Sequence, residues 1–256
     1  MEIPNGSFPL VWDDIENRLY AEEKMCKSAS RSVGEMAKVL YDGEFAKNAD
    51  WEKAIYFMHR EVHKAADEKI FTEHKRRYDV TVIPPFCLGS EFVKTAGHYH
   101  ELASLSAHLS FPELYEVLHG TAHFLIFRRK ALAGVDDDKS LDDCILIEAE
   151  AGEKIFVPPN YGHVMTNPAS ETLATANLVE WKFKSLYEPI GNLGGGPYFE
   201  LCDGKTVPNK NYKELPPLKK IGAKEHEPTA SLGLDPERTV YDSFAESPEK
   251  FGFLEP

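Results

Sequence analysis

What this chain has little of narrows the field before any motif is read. Its four cysteines, Cys26, Cys87, Cys144 and Cys202, are far apart and form no CxxC pair. Zinc-ribbon spacing is therefore absent, and so few cysteines in so long a chain argue against a disulfide framework. No apolar run approaches the roughly 18 residues that cross a bilayer. The start, Met1-Glu2-Ile3-Pro4-Asn5-Gly6, has neither the basic opening nor the apolar core of a secretory signal. Basic residues are the minority, 29 Lys and Arg against 42 Asp and Glu, for a net charge of −13. No basic stripe is left to neutralise nucleic-acid phosphates. The expectation is a cytoplasmic, reducing setting, with neither membrane nor nucleic acid as partner.

What is present is an ordinary globular composition. With 256 residues, 42% hydrophobic and 28% charged, the chain can bury one large core. Residues 1–50 read as an extended arm with short helical pieces. Trp51, Ile55, Met58, Val62, Ala65 and Ala66 recur at three- and four-residue steps, which predicts an amphipathic helix over 51–70 with Asp50 as its N-cap. From Tyr78 the period becomes two, as Tyr78, Val80 and Val82 alternate. Strand-like segments follow near 92–100, 113–119, 121–128, 144–149, 154–157 and 171–183, separated by Pro84-Pro85, Gly89, Gly120, Gly152, Pro158-Pro159 and Asn167-Pro168. Many short strands with regular turn signals predict an all-β sandwich or barrel. The acidic insert 134–140 lacks EF-hand spacing and reads as a surface loop. The glycine-rich run 191–197 lacks the Lys-Ser/Thr of a phosphate loop and reads as a hinge or lid.

The chemistry concentrates in Gly97-His98-Tyr99-His100, followed by Glu113 and later by His163. Alternate side chains of a strand share a face, so His98 and His100 would point two imidazoles into one space. A carboxylate and a third imidazole from neighbouring strands would complete a His3Glu shell for a divalent cation. His59 and His63 are also spaced i,i+4, but the polar face of a helix explains them more simply.

The spacing carries a resemblance. Glu113 precedes Gly120 by six intervening residues, and Gly152, Pro158, His163 and Asn167 follow in a second spaced group, which resembles the two motifs of the cupin superfamily. Twelve residues separate His100 from Glu113, and Asn160 stands where the second motif usually has Gly. With the phrases 91–100, 112–120 and Val157-Pro158-Pro159, the stretch from about 75 to 190 is similar to the archaeal-type, cupin glucose-6-phosphate isomerase family. The resemblance implies a cupin-type double-stranded β-helix, a jelly-roll barrel. The barrel would span 76–190, with an N-terminal arm and helical extension (1–75) and a C-terminal extension wrapped on it (191–256).

It further implies metal-dependent interconversion of glucose 6-phosphate and fructose 6-phosphate. One divalent metal, Fe(II) or else Ni, Mn or Zn, would be held by His98, His100, Glu113 and His163, with Glu113 also the catalytic base. Thr81, Thr95, Gly97, Tyr115 and Tyr187 would contact the sugar phosphate, and related proteins pair their barrels as homodimers. A family tyrosine and a pocket histidine fall on Val179 and Ser185, a departure that bears on the substrate. With so acidic a chain, attraction of an anion must be local, from the metal, backbone amides and Lys94. An isomerase of another phosphorylated sugar, a mononuclear-iron cupin oxygenase and a non-catalytic storage-type cupin are the alternatives.

Overall fold

Alternating residues build two sheets that face each other. The computed structural model describes all residues except 7, 107, 132–137, 227–230 and 256. One sheet runs in the order Lys154–Val157, Glu113–His119, Leu173–Glu180, Arg76–Ile83, Ala54–His59, Ser28–Ser32, every neighbour antiparallel. The other runs Tyr161–Thr166, Thr121–Arg129, Leu141–Glu150, Lys219–Gly222, the last pair parallel. Between them lie Val117, Phe124, Leu146, Ile155 and Val157, all fully buried. This is the all-β, cupin-type jelly roll.

The six-stranded sheet is buried on its outer face too. Leu114, Leu118, Tyr78, Val80, Val82 and Leu178 turn away from the barrel into a second core. There they meet Trp12 and Leu19 of an N-terminal four-stranded sheet, and Tyr241 and Phe244 of the Val240–Glu246 helix. The helix start is tied to the sheet, since buried Glu116 accepts the Val240 N–H at 2.8 Å. The alternation at Tyr78, Val80 and Val82 thus marks this second core, and Asp79 and Thr81 form the inward face.

Four expectations are corrected. Residues 51–70 are not one helix: Ala54–His59 is a strand, and only Ala65–Asp67 and Glu68–Glu73 are helical. The strand sits inside the sheet with apolar groups on both faces, so its sequence loses the alternation that would mark it. His59 accordingly lies in the second core, fully buried against Trp12, rather than on a polar helix face. Cys87 and Cys202 form a disulfide across 115 residues of sequence, where the sparse cysteines argued against any. The fold brings them together because Glu91 pairs with Leu201 and the Cys202 N–H donates to Ser90 O at 2.9 Å. The 191–197 loop is pinned rather than hinged: the Asn209 amide donates to Leu193 O and Gly196 O at 2.9 and 3.0 Å. Most of the 134–140 insert lies outside the described residues.

Two consequences are measurable. Burial pushes the His59 imidazole down to about 4, against a weaker contact with the Lys27 backbone. A base held neutral in the fold but titrating near 6.5 when unfolded stabilises above pH 6.5, and that contribution is lost as pH falls toward 4. It amounts to about 3 kcal/mol at most, and thermal melts at pH 7.5 and 5 should show His59→Leu losing less stability on acidification than the parent. Cys202→Ser should lower stability by about 2–4 kcal/mol and abolish any dependence of Tm on reductant.

Candidate metal centre

Four side chains from three segments converge inside one end of the barrel. His98 and His163 are held by a local antiparallel bridge, each N–H donating to the other's carbonyl at 3.1 Å. Gly97 makes this approach possible. Its φ is +74°, and a Cβ there would stand 2.5 Å from Val164 Cγ2 and 3.1 Å from the His163 carbonyl oxygen. His100 follows on the short strand Tyr99–His100, and Glu113 opens the strand Glu113–His119 of the opposite sheet. One ligand atom from each of the four lies within 4.8 Å of all the others.

The polar groups around this cluster orient it. His100 Nδ1 donates to the Phe111 carbonyl at 2.7 Å, which turns Nε2 toward Glu113 Oε2 at 3.2 Å. Asn177 Nδ2 donates to Glu113 Oε1 at 2.7 Å, leaving Oε2 for the cluster. His163 Nε2 lies 3.5 Å from Glu113 Oε2 and 3.1 Å from the Tyr115 hydroxyl. Phe183 covers His100 at 4.5 Å between ring centroids, and Tyr187 stands 5.4 Å from His98.

The donor set fits a divalent cation. His98 Nε2, His100 Nε2 and Glu113 Oε2 are buried without a hydrogen-bond partner, an arrangement that is costly unless something else satisfies those atoms. Burial, then the adjacent His163 and His100, depresses the His98 imidazole. Burial takes His163 down to about 4, with Glu113 opposing. Both therefore stay neutral and can donate a lone pair. Burial alone would raise the Glu113 carboxyl, but His100, then His163 and Tyr115, hold it below its ordinary value. It is a carboxylate near neutrality. Outer-layer partners such as Asn177 and the Phe111 carbonyl are what fix ligand orientation at such centres.

The remaining anticipated site residues divide. Tyr115 and Tyr187 border the cluster. Gly97 permits the bridge, and with Tyr187 it lines an adjacent cavity of about 420 Å³. Thr95 is tied to the neighbouring strand: its N–H donates to Met165 O at 2.8 Å and its Oγ1 accepts the Met165 N–H at 3.0 Å. Thr81 is on the inward face, opposite Thr175 and Met58, level with Val117 and so four residues along the register from Glu113. Lys94 is not free for an anion, being buried against Glu91 at 2.6 Å and donating to Val39 O at 2.9 Å. Val179 is fully buried opposite Arg77, and Ser185 pairs with His100 through the backbone. Asn177 went unread in the sequence, although it stands out as the one amide of the strand Leu173–Glu180. Phe183 and Arg31, which also borders the cavity, carried no local signal.

A jelly-roll barrel with three imidazoles and a carboxylate converging inside it defines a cupin-type protein with a candidate mononuclear metal centre. A sequence model of the family described as glucose-6-phosphate isomerase (GPI) matches residues 30–217. The chain belongs to this glucose-6-phosphate isomerase family. No curated protein matches it. Among solved structures it is similar to oxalate decarboxylase from Bacillus subtilis, a protein with Mn(II) centres, at 16% identity over 56% of this chain and 31% of that one, TM-score 0.35. It is also similar to vicilin from Capsicum annuum, at 14% identity over 52% and 31%, TM-score 0.34. The aligned part is about a third of each of those chains' own length.

The ligand assignment predicts the outcome of metal analysis. The parent should carry about one divalent ion per chain, and His98→Ala and His163→Ala should come out nearly metal-free with the far-UV spectrum retained. Full occupancy in both variants would overturn the assignment.

Proposed function

We propose that this chain interconverts glucose 6-phosphate and fructose 6-phosphate, using one divalent metal held by His98, His100, Glu113 and His163. The observation that carries the reading is the family match across 30–217, joined to a buried carboxylate among three imidazoles beside a cavity large enough for a sugar phosphate. Three imidazoles and one carboxylate suit Fe(II), Ni, Mn or Zn, and Fe(II) is the cation proposed. When bound, such an ion supplies Lewis-acid stabilisation of negative charge on substrate oxygen.

The protein's own groups then have defined tasks. Glu113 takes the C2 proton of the open-chain aldose, and the C–H electron pair becomes the C1–C2 double bond as the C1 oxygen is protonated. Returning the carried proton to C1 while the C2 hydroxyl proton leaves yields the ketose, with no atom gained or lost. Asn177 fixes the carboxylate for this transfer through its 2.7 Å bond. Tyr115, hydrogen-bonding at His163, borders the same space, and Phe183 keeps water from His100. Charge held in such a dry, fixed environment is what electrostatic preorganisation requires.

Glu113→Gln tests the base. The amide keeps an oxygen for the metal, and Asn177 can rotate to present its own oxygen to the new NH2. Metal-loaded Glu113→Gln should lose on the order of 10²-fold or more in kcat, and the parent run in D2O should place deuterium at C1 of fructose 6-phosphate in the fraction of turnovers in which the proton carried on Glu113 exchanges with solvent before its return. Parent-like turnover by the metal-loaded variant, with a product free of solvent deuterium, would replace proton transfer by a hydride shift. A metal-loaded parent that turns over neither glucose, fructose nor mannose 6-phosphate would overturn the isomerase reading itself.

A further inference from the structure

The barrel places a cation beside this site from an unexpected direction. Arg31 belongs to the edge strand Ser28–Ser32, and its cross-strand partner is Tyr56 on the next strand. Directly opposed residues of a sheet share a face, so Arg31 and Tyr56 both turn inward. The Tyr56 hydroxyl accepts the Ala96 N–H at 3.4 Å, next to the Gly97-His98 turn. Arg31 Cζ lies 5.2 Å from the Tyr187 ring centroid, and that ring is the one standing 5.4 Å from His98. Arg31, Ala96, Gly97 and Tyr187 line the same 420 Å³ cavity. Thr81 sits on the adjoining strand, opposite Met58, two residues beyond Tyr56.

The electrostatics of this cavity are specific. Burial opposes the Arg31 charge, but the Tyr187 and Tyr56 hydroxyls and Glu35 hold the guanidinium above its ordinary value. Its present carboxylate partner is Glu35, at 2.8 Å on an exposed helical turn. Lys38 lines the cavity as a second cation, and Glu188 as a second carboxylate. The one other cation near the Gly97 turn that sequence reading favoured, Lys94, is committed to Glu91. On a chain of net charge −13 a dianion gains nothing from the overall field and needs a local, forked donor.

We infer that Arg31, flanked by the Tyr56 and Tyr187 hydroxyls, is the phosphate-binding residue of this site, exchanging Glu35 for the substrate's phosphate dianion. The inference rests on the sugar-phosphate reading for its ligand and on the cavity's geometry for its residue. It makes the edge strand Ser28–Ser32 part of the substrate site. It also gives Glu35 a role, as the carboxylate that occupies the guanidinium until phosphate arrives.

Inorganic phosphate is the probe, titrated calorimetrically into the full-length, metal-loaded protein, with fructose 6-phosphate kinetics in parallel. The parent should bind phosphate, and Arg31→Met should weaken binding about tenfold to a hundredfold, the range for a lost charge-assisted hydrogen bond. In kinetics the same variant should raise KM for fructose 6-phosphate by a similar factor with the smaller change in kcat. Arg31→Lys should fall between, because it keeps the charge and loses the fork. Glu35→Gln should tighten phosphate binding a few-fold, a result that no purely structural Arg31–Glu35 pair would give. Unchanged phosphate affinity in a folded Arg31→Met, or a parent that ignores phosphate, would overturn the inference. A parent that binds phosphate through Arg31 but isomerises no hexose phosphate would leave the subsite standing and remove the isomerase assignment instead.

Discussion

The site depends on one backbone contact, the antiparallel bridge between His98 and His163. Two residues 65 positions apart in sequence are brought to mutual hydrogen bonding, and that is possible only because Gly97 has no side chain and a left-handed φ. From this contact the rest follows. The chain leaving His98 places His100 two residues on, and the Phe111 carbonyl turns its ring toward Glu113. The carboxylate arrives from the opposite sheet, so the cluster ties the two halves of the barrel together across their shared interior.

The same cluster is a poor bargain for an empty fold. Three buried ligand atoms without hydrogen-bond partners oppose folding, and the two apolar cores offset that cost. The barrel core surrounds the cluster, and the second core clamps the outer face of the strand bearing Glu113. Stability is supplied on one face of the six-stranded sheet and drawn upon on the other. The outer layer, with its N-terminal sheet and the Val240–Glu246 helix, thus contributes to the site without touching it.

Much of the site was legible because its chemistry is local. His98 and His100 are two apart in one extended segment, Glu113 opens a strand, and Gly120, Gly152 and Pro158 punctuate the strands between. Tyr78, Val80 and Val82 announced a strand correctly, yet their periodicity could not say which of two cores they face. Ala54–His59 was misread because a strand apolar on both faces carries no period of two, and Trp51, Ile55, Met58 and Val62 happen to satisfy a period of 3.6. The Cys87–Cys202 bond was illegible since only tertiary pairing of Glu91 with Leu201 makes the two sulfurs neighbours. Arg31 was illegible for the same reason. Nothing in Ser28–Ser32 shows that Tyr56 and Tyr187 will meet it.

The Glu113–His119 strand is buried on both faces over nearly its whole length, and this limits how such a chain can vary. Inward residues answer to the His–Glu cluster and the barrel filling, outward residues answer to the aromatic layer behind, and every position has a neighbour to displace. Ser28–Ser32, at the sheet's edge, is exposed over its first three residues and only partly covered at Arg31 and Ser32. Variation is cheap there. If the edge strand does meet the substrate, it could be redrawn, exchanging one cation or hydroxyl for another, while the His–Glu cluster stayed fixed by a wall that has no free side.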